Sequence, residues 1–264
     1  MRGLFIGILA GWGAATVVAI SAPSAQNASC ERLEYGISWK GLPVGTAVVV
    51  NDGPASGRQG KVTRSIKVVS RPWLKLLHPV RDEIECVRDG AGSRVRYSVH
   101  KVINEAGFHQ DDVLTVDGVT GMAVWIDSRH AKEVRYPVPD QVRDYLSFLF
   151  DLRFDVFPLG GQREYSLAMD DGVRRLSITG SCTGMVDCAW GRVPARKLEI
   201  KSLSSQLFVR NVPRAVWIAE EHPVVIEMEA STKLGVVRAV LQKWVTDGQD
   251  VVWHGAPPRF LQAR

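Results

Sequence analysis

Residues 31–54 read ERLEYGISWKGLPVGTAVVVNDGP, and this stretch decides the fold class. In its first ten residues Leu33, Tyr35, Ile37 and Trp39 alternate with Arg32, Glu34, Gly36, Ser38 and Lys40. Period-two alternation puts one side of a strand in a core and the other in water. Gly41-Leu42-Pro43 breaks the run, Gly45–Asn51 reads as a second strand, and Asn51-Asp52-Gly53-Pro54 is a strong turn. A hairpin meander is therefore expected from the start of the mature chain.

The same signals recur to the C-terminus. Strands are expected at Lys61–Ser70, Arg94–Val102, Glu164–Asp170, Arg174–Thr179, Arg192–Ser202, Arg214–Ala219, Val224–Ala230 and Val236–Thr246. Asp111–Val116 and Met122–Asp127 flank Asp117-Gly118 and predict a hairpin. One helix is expected over Asp140–Leu152, where Val142, Tyr145, Leu146, Leu149 and Phe150 make a helical stripe behind Asp140 as N-cap. Many short strands and one helix predict a mainly β protein built on one strongly curved or partly closed antiparallel sheet.

The N-terminus has a different composition. Met1-Arg2 is a short basic region, and Gly3–Ala22 is apolar and uncharged. The small residues Ser21-Ala22-Pro23-Ser24-Ala25 follow, the pattern of a secretory signal peptide. Cleavage is expected after Ala25, leaving residues 26–264 as a single β-rich domain; Ala22 and Ala28 are the alternative sites. The apolar stretch is also long enough to stay as an anchor. Lipidation at Cys30 would need an aliphatic residue that Gln26-Asn27-Ala28-Ser29 lacks. The expected location is the periplasm.

The formal charge is +5, spread without a dense Lys/Arg run, so no nucleic-acid partner is expected. Outside the cytoplasm a basic surface meets phosphate-bearing lipid or anionic glycan. Four cysteines survive processing, and an even number in an oxidising compartment suggests two disulfides. Cys182 and Cys188 lie in the Gly-rich stretch GSCTGMVDCAWG (180–191) and are expected to close a hairpin there. That leaves Cys30 and Cys86 as a pair whose connectivity stays open.

No catalytic motif emerges. The GxSxG turn is absent, and Ser147 and Ser181 have no surroundings that would activate them. The six histidines show no ligand spacing, so neither a metal nor any other cofactor is expected. A cluster of His78 with Asp82, Glu83 and Glu85 fails on parity, because Asp82 faces away from the two glutamates on a strand. A hydrolase is the least supported reading.

Two features point to binding. Trp73, Leu74, Leu76 and Leu77 form an apolar connector between Pro72 and Pro79, suited to a lid or a lipid contact, or to simple packing on the core. Arg64 shares a strand face with Val62, Ile66 and Val68. A charge on an apolar face marks either a headgroup site or the edge of the sheet.

Five segments carry a resemblance in order along the chain: SWKGLPVGTAVV (38–49), RPWLKLLHPVRDEIECV (71–87), YPVPDQVRDYLSFLFDLR (136–153), GRVPARKLEIK (191–201) and AVWIAEEHPVVIEMEASTKLGVVRAVL (215–241). The chain resembles the bacterial envelope family catalogued as domain of unknown function 3108. The resemblance implies an exported or membrane-associated protein whose strands wrap one helix as a half-barrel or β-spiral. It implies no known enzyme activity and no cofactor. The expected role is non-enzymatic support of the envelope, with a lipid, lipoprotein segment or glycolipid held in the curved sheet. The alternative is a helix-filled interior and a surface that binds another envelope protein.

Overall fold

The structure is a computed structural model, and it describes residues 30–53, 61–74, 78–89, 96–203, 213–232 and 235–252. The N-terminal segment expected to be a signal peptide lies outside the described residues. The first half is a meander of eight strands: β1 Glu31–Trp39, β2 Leu42–Asp52, β3 Val62–Ser70, β4 Arg81–Arg88, β5 Arg96–Glu105, β6 Phe108–Asp117, β7 Met122–Asp127 and β8 Lys132–Pro137. Helix α1, Tyr145–Leu152, follows. The second half holds β9 Gln162–Met169, β10 Gly172–Cys188, β11 Gly191–Ser202, β12 Ala215–Ala219, β13 Val225–Thr232, β14 Gly235–Thr246 and the short β15 Gln249–Asp250.

All the strands of the described residues belong to one sheet, ordered β8-β7-β6-β5-β4-β3-β2-β1-β14-β13-β12-β11-β10-β9, with β15 on β14. Each half is a hairpin meander, and the ladder from Glu31↔Thr246 to Trp39↔Val237 joins them. The sheet is not closed, for β8 and β9 are its two ends. Side-chain and bridge contacts span the gap between them. Arg143 bridges Leu167, the Tyr136 hydroxyl donates to the Met169 carbonyl, and Lys101 Nζ lies 2.6 Å from Asp170 Oδ1. Register shifts at Glu34/Tyr35, Ile37/Ser38, Gly180/Cys182 and Trp217/Ile218 insert extra residues that bend and twist the sheet.

The helix is shorter than its stripe. Its N-cap is Asp144, not Asp140, and Asp144 Oδ1 accepts the Ser147 N–H at 2.8 Å. Two facts stop it reaching back to Asp140. Gln141 has φ of 63°, outside the helical region. The Arg143 backbone is committed to β9, with its N–H on the Ser166 carbonyl and its carbonyl receiving the Ala168 N–H. The eight helical residues reach all three core clusters, with Phe148 and Leu152 in the same one. Phe150 packs with Leu33, Tyr35, Ile226 and Leu241; Phe148 packs with Leu167, Ile178, Leu198 and Val216; Leu146 packs with Tyr97, Leu114, Trp125 and Tyr136. Phe148 is fully buried. A side chain of that kind contributes about 1.5–3 kcal/mol by leaving water.

The cysteines correct the disulfide expectation: Cys30, Cys86, Cys182 and Cys188 are all free thiols. Residues 180–188 form no turn, because β10 runs straight through them to pair with β11. Six residues of extended strand separate Cys182 from Cys188 by about 20 Å, far beyond the reach of a disulfide. The glycines there serve close approach. A Cβ at Gly180 would sit 2.5 Å from the Pro158 carbonyl oxygen, so the chain after α1 passes against β10 only because Gly180 has no side chain. Cys86 shares a cross-strand row with Arg64, Asn51 and Glu31. Cys30, beside Glu31, is thus three strands from Cys86, about 14 Å at the usual strand spacing.

Candidate functional site

Arg64 faces inward, as its parity with Ile66 and Val68 requires, and meets the C-terminal end of α1. Its Nε donates to Asn51 Oδ1 at 3.0 Å, and its guanidinium lies 5.0 Å from the Phe150 ring centroid. Arg64 Nη2 then reaches Asp151 Oδ1 at 3.3 Å. Two more guanidiniums approach the other carboxylate oxygen, Arg143 Nη1 at 3.5 Å and Arg88 Nη1 at 4.0 Å. Arg143 is stacked in turn over Tyr165, 5.4 Å from its centroid.

Three cations therefore face one carboxylate. Asp151 is the penultimate residue of α1, where the helix dipole disfavours negative charge, so it depends on those arginines. The nearest other helix carboxylate, Asp144, is spent on the N-cap. Two donors in the group, Arg64 Nη1 and Arg143 Nη1, are buried without a hydrogen-bond partner. Such a donor costs on the order of 1–3 kcal/mol. Arg88, Arg143 and Asp151 each keep about a third of their side-chain surface in solvent, so the group is open to solutes.

A second ion pair flanks the first. Arg153 and Glu31 form a bidentate fork, Nη1–Oε1 at 3.0 Å and Nη2–Oε2 at 2.7 Å, with both side chains almost wholly buried. Trp244 Nε1 donates to Glu31 Oε1 at 2.9 Å. Arg196 Nη2 donates to the Arg153 and Asp155 carbonyls and so satisfies the chain as it leaves α1. The two charges neutralise each other in a buried fork, although Arg153 Nε and Arg196 Nε are themselves buried without a hydrogen-bond partner, and this marks the pair as architectural.

On the side of α1 facing β5 and β6, Lys101 Nζ lies between Asp170 Oδ1 at 2.6 Å and Asp112 Oδ2 at 3.3 Å. Trp125 Nε1 and Gln110 Nε2 also donate to Asp112. Burial raises the Asp112 pKa above the usual carboxylate range, and Lys101 opposes the shift. A cavity of about 50 Å³ adjoins this group, lined by Ile84, Leu114 and Tyr145 among others. A separate cleft of about 260 Å³ lies between Phe157, Gly180, Cys182, Arg196 and Glu220.

The apolar connector lies at the other end of the sheet, away from Arg64. Trp73 Nε1 donates to the Pro43 carbonyl at 3.2 Å, and Leu74 is partly buried. Leu76 and Leu77 lie outside the described residues. Backbone hydrogen bonds from Arg71 to Val44 and from Ala106 to Pro79 tie this connector to the β1–β2 and β5–β6 turns. Leu42, Trp73 and Phe108, one from each segment, are about half exposed. The acidic cluster around His78 does not assemble. Glu83 pairs with Lys67 at 2.7 Å, while Asp82 accepts the Asn104 N–H. Among the described residues no group of three His, Cys, Asp or Glu is placed to hold a metal, and no helix is long and apolar enough to cross a membrane.

Sequence reading found Arg64 but not Arg88, Arg143 or Asp151. Arg88 shares the parity of Cys86 on β4, a signal usable only once the inner face of β4 is known. Arg143 and Asp151 fall within a helical stripe longer than the helix that forms.

The fold has a solved counterpart. The crystal structure of a beta-barrel-like protein of domain of unknown function DUF1849 from Brucella abortus aligns with a TM-score of 0.56 at 11% identity, covering 83% of this chain and 98% of that one. No curated protein matches the chain. The model of the family described as "Protein of unknown function (DUF3108)" matches residues 34–242, and the chain belongs to that family.

Proposed function

We propose that this protein is a non-enzymatic module of the bacterial envelope, exported to the periplasm, that acts through its surface and not by carrying a lipid inside. In this reading the curved sheet wraps α1 as a half-barrel, and α1 is its permanent filling. The observation that carries the proposal is the packing of Leu146, Phe148, Phe150 and Leu152, all buried and shared among three core clusters. A carrier needs an apolar chamber of several hundred Å³ with a mouth. The cavity beside α1, at about 50 Å³, has room for water only, and the cleft of about 260 Å³ carries Thr183, Arg196, Lys197 and Glu220 in its lining, which does not suit an acyl chain. The end carrying Leu42, Trp73 and Phe108 supplies an exposed apolar contact surface, with Lys40, Arg71 and Arg81 exposed around it. That combination suits an envelope protein presenting apolar groups ringed by acidic ones. Export rests on the N-terminal sequence, and the lack of chemistry rests on the missing catalytic motifs.

Native mass spectrometry of the protein purified from its own periplasm, followed by organic extraction, tests this reading. The expected species is the bare chain. One lipid retained per chain, and taken up again after removal, would overturn it in favour of a carrier.

A further inference from the structure

We infer that Arg64, Arg88 and Arg143 form a binding site for a phosphate group, with Asp151 standing where part of that group would sit. The site is independent of the surface reading above: it lies at the C-terminal end of α1, not at the rim of Leu42, Trp73 and Phe108.

Charge is the first argument. Three guanidiniums lie within 4.0 Å of one carboxylate, at 3.3, 3.5 and 4.0 Å. A carboxylate offers two oxygens and one negative charge. A phosphate offers more acceptor oxygens and up to two charges, which suits a set of forked donors. An unused donor is the second argument. Arg64 Nη1 is buried and makes no hydrogen bond, and Arg143 Nη1 meets Asp151 only as an ion pair at 3.5 Å, so the group has donor capacity that Asp151 does not use. Preorganisation is the third. Asn51 and the Phe150 ring hold Arg64, and the Tyr165 ring holds Arg143, so little rotamer freedom remains to be lost on binding. Access completes the case, since Arg88, Arg143 and Asp151 are each about one-third exposed.

The same chemistry has two sources, free phosphate and the phosphate of an envelope lipid headgroup. The experiment titrates the full-length mature protein with inorganic phosphate by calorimetry, and separately sediments it with vesicles of phosphatidylglycerol in phosphatidylcholine. Phosphate is expected to bind. Arg88→Gln and Arg143→Gln should each weaken binding on the order of tenfold, while the exposed control Arg135→Gln leaves it unchanged. Asp151→Asn should tighten it by a similar factor, because one competing charge is gone. A merely structural role for the cluster would not produce that opposite sign. Arginine-dependent capture by the vesicles assigns the phosphate to a lipid; phosphate binding without capture assigns it to a soluble anion. The inference is overturned if neither the wild-type protein nor Asp151→Asn binds phosphate. It is equally overturned if Arg88→Gln and Arg143→Gln bind it as well as Arg135→Gln does. A lipid found inside the protein would end the surface reading and leave this site standing.

Discussion

Glu31 starts the strand whose alternation decides the fold, and its parity is that of Leu33 and Tyr35. A carboxylate on that buried face needs a cation. Arg153 supplies it across 122 residues of sequence, as a buried two-point fork. Removing one partner leaves the other charge buried, so Arg153→Met should cost about 3–5 kcal/mol in urea unfolding. Adding Glu31→Gln should recover much of the loss; a double variant no more stable than the single would show that the charge pair is not the cause. Asp82 behaves differently. Burial raises its carboxyl to about 6, the Asn104 N–H lowers it, and neighbouring Glu105 raises it again. The unfolded value is about 3.9. The folded chain therefore holds the proton more tightly, and the stability this contributes is present below about pH 4 and lost as pH rises through about 6. Asp82→Asn should leave the protein more stable at pH 7 by roughly 1 kcal/mol, allowing for solvent screening of a half-buried group. The gain should shrink towards pH 4. A gain independent of pH would count against this account.

At the scale of elements, β10 and α1 show how local signals and tertiary packing compete. Glycines and cysteines between 180 and 191 read as a cross-linked turn. In the fold Gly180 instead lets the chain after α1 pass close to a strand that continues to Cys188. The thiols test this. Cys30 and Cys182 are exposed, whereas Cys86 is buried and its pKa is pushed well above the usual thiol range, chiefly by burial. Under native, non-reducing conditions an alkylating reagent should label Cys30 and Cys182 readily and spare Cys86; denaturation without reductant should expose all four. Labelling that stops short of four in the denatured chain would restore a disulfide. In α1 the apolar spacing is legible from Tyr145 onward, and the error is the extra turn expected before it, over residues 140–144. Whether residues 140–143 coil or pair depends on an edge strand some 25 residues later, which no local pattern reports.

At the scale of the molecule, two meanders are held together by the β1–β14 ladder and by a helix that packs on both. The pairing joins residues 31–39 to residues 237–246, from opposite ends of the described residues. A chain ending after Thr232 would leave β1 and β13 with open edges and break the cluster containing Leu241. It should lose its cooperative thermal transition as followed by tryptophan fluorescence, whereas a preserved transition would mean that the halves fold without each other. The candidate site depends on the packing of α1 against the first meander, since Arg64, Arg88, Arg143 and Asp151 come from β3, β4, the segment before α1 and α1 itself.

The sequence by itself determined the strand-rich class, most strand positions, the existence of one amphipathic helix and the strand face that Arg64 shares with Ile66 and Val68. All of these follow from side-chain period, which is a local property of the chain. Tertiary structure alone decided the strand order, the gap between β8 and β9, the free thiols and the gathering of three arginines on Asp151. Those depend on which distant strands become neighbours, and period carries no information about that.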